Sequence, residues 1–136
     1  MGNSMSNQKR SALDIATVTG RTPTDEQIKI IESALEPAVV IAGAGSGKTE
    51  TMAARVLWLV ANGHAKPEEI LGLTFTRKAA SELKKRIKDR LKQLRKAGLI
   101  EKNLSSKFLR IIDRAYEAFD YQANEQHLHR EAQPWQ

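Results

Sequence analysis

Apolar positions follow two different rhythms along the chain. Ile28, Ile31 and Leu35 recur at spacings of three and four, the stripe of a short amphipathic helix. Thr24 stands where an N-cap belongs, and Gln27, three residues on, completes a capping box. Pro37 is expected to stop that helix. Ala38-Val39-Val40-Ile41-Ala42 is a continuous, β-branched apolar run of strand length, suited to the buried centre of a parallel sheet. After a glycine-rich turn the helical rhythm returns from about Lys48 to Ala61, with Met52, Val56, Leu57 and Val60 on the inner side and Gly63 past the end.

Pro67-Glu68-Glu69 opens a single helical turn or a tight loop, and Ile70 to Phe75 reads as a second buried strand. Thr76 caps a long helix in which Ala80, Leu83, Ile87, Leu91 and Leu94 recur at helical spacing, with Gly98 at the C′ position. Ser105 is placed to cap a further helix bearing Phe108, Ile111, Ile112, Ala115 and Phe119. Residues 1–20 mix Asn, Ser, Gln and Lys with few large apolar groups and read as a flexible leader. The stretch beyond Tyr121 reads as a loose polar tail. Strand, helix, strand, helix in that order implies parallel strands joined by a right-handed crossover. The expected fold class is therefore α/β.

Composition narrows the setting. With 136 residues the chain is one domain at most. It has no cysteine, which excludes disulfides and thiolate metal sites. No apolar run approaches the roughly 20 residues that span a bilayer, so a cytoplasmic protein is expected. The Met-Gly-Asn-Ser-Met-Ser start fits a myristoylation pattern, but so short a match arises readily by chance. His127 and His129 lack the further ligands that a closed metal site needs. The net charge of +6 is unevenly spread: the segment from Arg77 to Lys96 carries ten basic and two acidic residues, for +8. That density suits either a polyanion-facing surface or a solvated helix face.

The most specific chemistry lies at Ala42-Gly43-Ala44-Gly45-Ser46-Gly47-Lys48-Thr49, a Walker A phosphate loop with alanine at its first position. Glycines and small neighbours let successive backbone N–H groups turn inward around phosphate oxygens. The helix that follows directs its N-terminal amides at the same anion. Lys48 is expected to reach the β- and γ-phosphates of ATP, and the Thr49 hydroxyl to coordinate Mg²⁺. These two are the expected catalytic residues, and Gly43, Ala44, Gly45, Ser46 and Gly47 join them in nucleotide binding.

Two flanking segments carry a family resemblance. Pro23-Thr24-Asp25-Glu26-Gln27 resembles the Q motif of superfamily-one helicases, which implies that Gln27 contacts adenine. A side-chain amide both donates and accepts, matching the adenine edge; the alternative is that Gln27 only closes the capping box. Leu73-Thr74-Phe75-Thr76-Arg77-Lys78-Ala79-Ala80-Ser81-Glu82-Leu83 resembles motif Ia of UvrD/Rep/PcrA-type DNA helicases. That resemblance implies single-stranded DNA contacts by Phe75, Thr76, Arg77 and Lys78, with Phe75 alternatively an ordinary core residue ending a strand. Arg77 stands where the family commonly has asparagine, and Glu50 where many relatives carry a basic residue.

The resemblance covers about residues 21–98 and implies a partial, three-layer P-loop NTPase (RecA-like) core with a parallel sheet. Residues 99–136 would then be a helical segment and polar tail. A DExx strand, arginine fingers and a second motor domain are not found in the sequence, so the missing remainder of the motor is an expected partner and the chain alone is expected to be catalytically incomplete. The alternatives are a small P-loop phosphotransferase and a non-enzymatic nucleic-acid-binding module that uses the basic helix 77–96 beside a vestigial phosphate loop.

Overall fold

A computed structural model of the chain describes residues 9–41 and 47–114. Four helices in order are α1 (Ala12–Thr19), α2 (Asp25–Ile31), α3 (Lys48–Ala61) and α4 (Arg77–Lys96), with a 3-10 turn at Pro67–Glu69 before α4. Helical backbone over 102–114, here α5, completes the described part. None of these helices is long and apolar enough to cross a membrane.

The parallel sheet is not there. Among the described residues no strand forms, and the α/β, three-layer expectation is corrected to a helical assembly. The two apolar runs read as strands are instead largely solvent-facing: Val39 is 89% exposed, Ile41 95%, Leu71 82% and Leu73 76%, and only Ile70 packs against the core. An unbroken apolar run signals a segment suited to burial, but a strand also requires a backbone ladder with a neighbour. Neither 38–41 nor 70–75 acquires one.

What does bury is the helical stripe. On α4, Leu83, Ile87, Leu91 and Leu94 form one face against Ala53, Leu57 and Val60 of α3, with Ile15 of α1 and Ile100 and Phe108 closing the cluster. α3 packs on α1, α2 and α4. Ala53 rather than Met52 fills the inner side of α3, because Met52 is on the wrong flank and stays exposed. α4 ends in a Schellman arrangement: the Leu99 N–H donates to the Leu94 carbonyl at 2.9 Å and the Gly98 N–H to that of Arg95 at 3.1 Å. Gly98 adopts φ 76° there, which a side chain would resist.

Three local expectations change. The stretch read as a flexible leader contains α1, whose Ser11 cap and Asp14 form a capping box. Backbone pins hold it: the Arg10 N–H donates to Asn62 Oδ1 at 2.6 Å, Asn62 Nδ2 returns a bond to the Arg10 carbonyl at 2.8 Å, and the Ala12 N–H donates to Glu32 Oε1 at 2.7 Å. α2 stops at Ile31, well before Pro37, leaving Leu35 exposed. Its C-terminal carbonyls are gathered by the Arg55 guanidinium, whose Nη1 lies 3.0 Å from Ile30 O, 3.1 Å from Ile31 O and 2.9 Å from Ser33 O. Ser105 is no cap; it lies inside α5, fully buried. Ala115, Phe119, the tail beyond Tyr121, and His127 and His129 lie outside the described residues.

Candidate functional site

Gly47 caps α3, whose first two residues are Lys48 and Thr49. Gly47 is the N-cap at φ 80° and, having no side chain, puts no capping oxygen of its own over the first amides of the helix. That leaves the positive end of the helix dipole open to an external anion. Lys48 is exposed and Thr49 half-buried. Gly43, Ala44, Gly45 and Ser46, expected in the phosphate cradle with Ala42 before them, lie outside the described residues.

Gln27 reaches the same place from α2. Its Oε1 accepts from the Thr24 N–H at 2.9 Å, and its own N–H donates to Thr24 Oγ1 at 3.2 Å, so the capping box is real. The other end of the amide, Nε2, lies 3.1 Å from where a Cβ on Gly47 would stand. One side chain thus caps α2 with its oxygen and abuts the start of α3 with its nitrogen. The capping and site readings of Gln27 are geometrically compatible.

Beside this junction is a cavity of about 270 Å³, bounded by α1, the 21–23 link, and the near faces of α2, α3 and α4. Ala12, Ile15 and Ala16 form an apolar side; Thr22, Gln27 and Thr51 are among the polar groups converging on it. Glu50 and Arg90 also line it. Glu50 is the hub of a charge cluster. Arg90 bonds its carboxylate directly, and Arg21 and Arg86 each approach to 3.5 Å. Burial first, and then the nearby Arg21 charge, lower the Arg90 pKa from its ordinary value. The three guanidiniums outnumber the one carboxylate, so this wall carries excess positive charge.

The four expected DNA contacts, Phe75, Thr76, Arg77 and Lys78, run exposed through the amino end of α4. Phe75 is fully solvent-facing at 108% relative exposure, which removes the core alternative. Thr76 Oγ1 accepts from the Ala79 N–H at 3.1 Å and so caps α4. Farther along, the charges of α4 divide between its flanks. Arg86 and Arg90 turn to Glu50, whereas Lys84 and Lys88 meet Asp113 of α5 at 3.6 and 2.9 Å. Lys85, Lys92, Arg95 and Lys96 remain exposed. No group of three or more potential metal-ligating side chains occurs among the described residues.

Sequence reasoning missed the Glu50 hub, the Arg55 clasp and the α1 wall. The hub had one visible trace, the i, i+4 pair Arg86 and Arg90 on one helix face; its acidic partner lies about 40 residues away, beyond any local pattern.

Residues 23–133 match the UvrD/REP helicase N-terminal domain family. The chain is similar to DNA helicase IV of Escherichia coli, 49% identical over 65 residues that make up 48% of this chain and 10% of that protein. It is also similar to ATP-dependent DNA helicase Rep of Escherichia coli, 35% identical over 98 residues, 72% of this chain and 15% of that protein. ATP-dependent DNA helicase PcrA of Bacillus subtilis is 39% identical over 70 residues, 52% of this chain and 9% of that protein. The chain therefore spans only a small part of the length of these relatives. No solved structure matches it.

Proposed function

The chain belongs to the UvrD/REP helicase N-terminal domain family, and on that premise we propose that it is the ATP-binding part of an ATP-dependent DNA helicase or translocase that acts on single-stranded DNA. The observation that carries this reading is the junction of Gly47, Lys48 and Thr49 with Gln27. A helix start with no capping side chain, a lysine at its first position and an amide-bearing residue against the same glycine suit a nucleotide with phosphates on one side and base on the other. Gly43, Ala44, Gly45 and Ser46 complete the phosphate cradle with Gly47 in this reading. Lys48 pairs with the β- and γ-phosphates, Thr49 holds Mg²⁺, and Gln27 meets the adenine edge. Mg²⁺, when bound, supplies positive charge between the phosphate oxygens.

Phe75, Thr76, Arg77 and Lys78 are proposed to hold single-stranded DNA. A fully exposed ring at the edge of a basic helix end suits base stacking with phosphate contact. These 136 residues are proposed to bind nucleotide without turning it over. Phosphoryl transfer requires a positioned water and stabilising charge, and an arginine finger alone contributes roughly 10³- to 10⁵-fold. Of the arginines near the motifs, Arg55 is committed to the carbonyls that end α2, Arg21, Arg86 and Arg90 face Glu50, and Arg77 belongs to the DNA segment.

Calorimetry with ATP or ADP and Mg²⁺ tests the reading: weak binding is expected for the chain and none for Lys48→Ala. Equal affinity in both would sink the assignment. Steady-state ATPase activity should be the same for both proteins, with and without single-stranded DNA; a robust, DNA-stimulated rate lost in Lys48→Ala would overturn the inactivity. The exposed cations of α4 favour a second reading, a nucleic-acid-binding module with a vestigial phosphate loop. Salt-dependent DNA binding without any nucleotide binding would select it.

A further inference from the structure

The cavity beside Gln27 exists because α1 presents small side chains to it. Ala12 and Ala16 lie one helical turn apart on that side, with Ile15 between them and Thr19 a turn further. The helix is held at both ends. At its start, Arg10 and Ala12 are bonded to Asn62, the C-cap of α3, and to Glu32 beside α2; just past its end, Arg21 meets Glu50 at 3.5 Å. The wall is therefore fixed before anything binds, and such preorganisation spares a ligand the cost of ordering it. α1 also precedes residues 23–133, the part that matches the helicase family.

The shape and chemistry select a class of ligand. About 270 Å³ lies just under the ~300–1,000 Å³ of pockets that hold whole drug-sized molecules. The space fits one ring system rather than a complete nucleotide. One side is apolar, from Ala12, Ile15 and Ala16; the others supply Thr22, Gln27 and Thr51, with Arg21 and the Arg90–Glu50 pair as a charged edge. A flat heterocycle with an apolar face and a polar edge satisfies both. Gly47 lines the cavity too, so a base seated there would have its phosphates directed towards the amino end of α3.

We propose that α1 is the packing wall for the nucleotide base, with Ala16 at its centre, so that residues outside the family match position the ligand. The proposal rests on the nucleotide reading above and adds a role for α1 to it. Replacing Ala16 with leucine puts three more carbons into the cavity while keeping a strong helix former on α1. The phosphate-binding end of α3 is left untouched.

The test uses the whole chain and two probes, ADP and inorganic tripolyphosphate, each with Mg²⁺, titrated by calorimetry. Ala16→Leu is expected to weaken ADP at least ~tenfold, which is about 1.4 kcal/mol, with tripolyphosphate unchanged within about twofold. Thr17→Leu, on the exposed side of the same helix, is expected to bind both probes as the wild type does. Unchanged ADP affinity in Ala16→Leu overturns the proposal. So does a parallel loss of both probes, because a wall for the base leaves the phosphates alone. Wild-type protein that binds tripolyphosphate as tightly as ADP has a phosphate site and no base wall. Wild-type protein that binds neither refutes the nucleotide reading itself, and this proposal with it.

Discussion

Arg90 of α4 donates to both carboxylate oxygens of Glu50 in the first turn of α3. The side chains are 11% and 17% exposed, so the contact lies between a surface ion pair and a fully buried one. Exposed pairs contribute about 0–1 kcal/mol, whereas breaking a buried pair costs about 3–5 kcal/mol because one charge is stranded. Glu50→Ala strands Arg90 and leaves Arg21 and Arg86 facing it. A loss of about 2–3 kcal/mol is expected in denaturant unfolding, with part recovered in the Glu50→Ala, Arg90→Leu double variant. A single-variant loss below about 0.5 kcal/mol would mean that solvent already screens the cluster.

Gly47 and Gly98 make a matched comparison. Both adopt left-handed backbone, at φ 80° and 76°, but a Cβ on Gly98 meets nothing within 4 Å whereas one on Gly47 meets Gln27 Nε2 at 3.1 Å. Gly98→Ala is expected to cost about 1–2 kcal/mol from the backbone alone. Gly47→Ala adds displacement of Gln27, which opens the α2 capping box for roughly another 0.5–2 kcal/mol. Equal losses by chemical denaturation would show that Gln27 yields without leaving its cap.

Ser105 is an exception to the rule that truncations destabilise. Its hydroxyl is fully buried in α5 with no hydrogen-bond partner among the described residues, and a stranded polar group costs about 1–3 kcal/mol. Ser105→Ala is expected to leave the melting temperature unchanged or raise it by a few degrees, equivalent to about 1 kcal/mol in a small domain. A fall of that size would mean that the hydroxyl is bonded.

Asp113 links stability to pH. The hydrogen bond from Lys88, reinforced by the Lys88 and Lys84 charges, lowers its pKa from the ordinary 3.8. A carboxyl with a depressed folded pKa stabilises fully above its unfolded value and loses that contribution as pH falls through the folded one. The wild type should therefore exceed Asp113→Asn in melting temperature at neutral pH, and the gap should close as pH drops below 3.8 towards the lowered folded value. Because the group is exposed, added salt should also narrow the gap. A gap unaffected by pH would assign the difference to packing.

The helices were legible where a local rule decides. Thr24 and Gln27 announced the α2 capping box, the stripe from Leu83 to Leu94 gave the buried face of α4, and Gly98 marked its end. The strands failed because the apolarity of Val39 to Ile41 and Leu71 to Phe75 is a property of each segment, whereas pairing is a property of two. α1 was hidden because it is short and its large apolar residues, Leu13, Ile15 and Val18, make no helical stripe; only Ser11 with Asp14 hinted at a start. For the site, residue types at the head of α3 were visible in sequence. The Gln27 contact with Gly47 and the arginines around Glu50 were not, because they depend on how α2 and α4 settle against α3.

The division of charge along α4 also sets how strongly the helix behaves as a polyelectrolyte. Ten cations lie between Arg77 and Lys96, but Lys84 and Lys88 are held at Asp113, and Arg86 and Arg90 at Glu50. Each phosphate that a cation neutralises on a single strand releases about 0.7 of a condensed counterion. Six available cations can displace about four such ions, against about seven for all ten. α4 would therefore hold a strand with a gentler dependence on ionic strength than its sequence suggests, because four of its cationic side chains are drawn into the contacts that join α4 to α3 and α5.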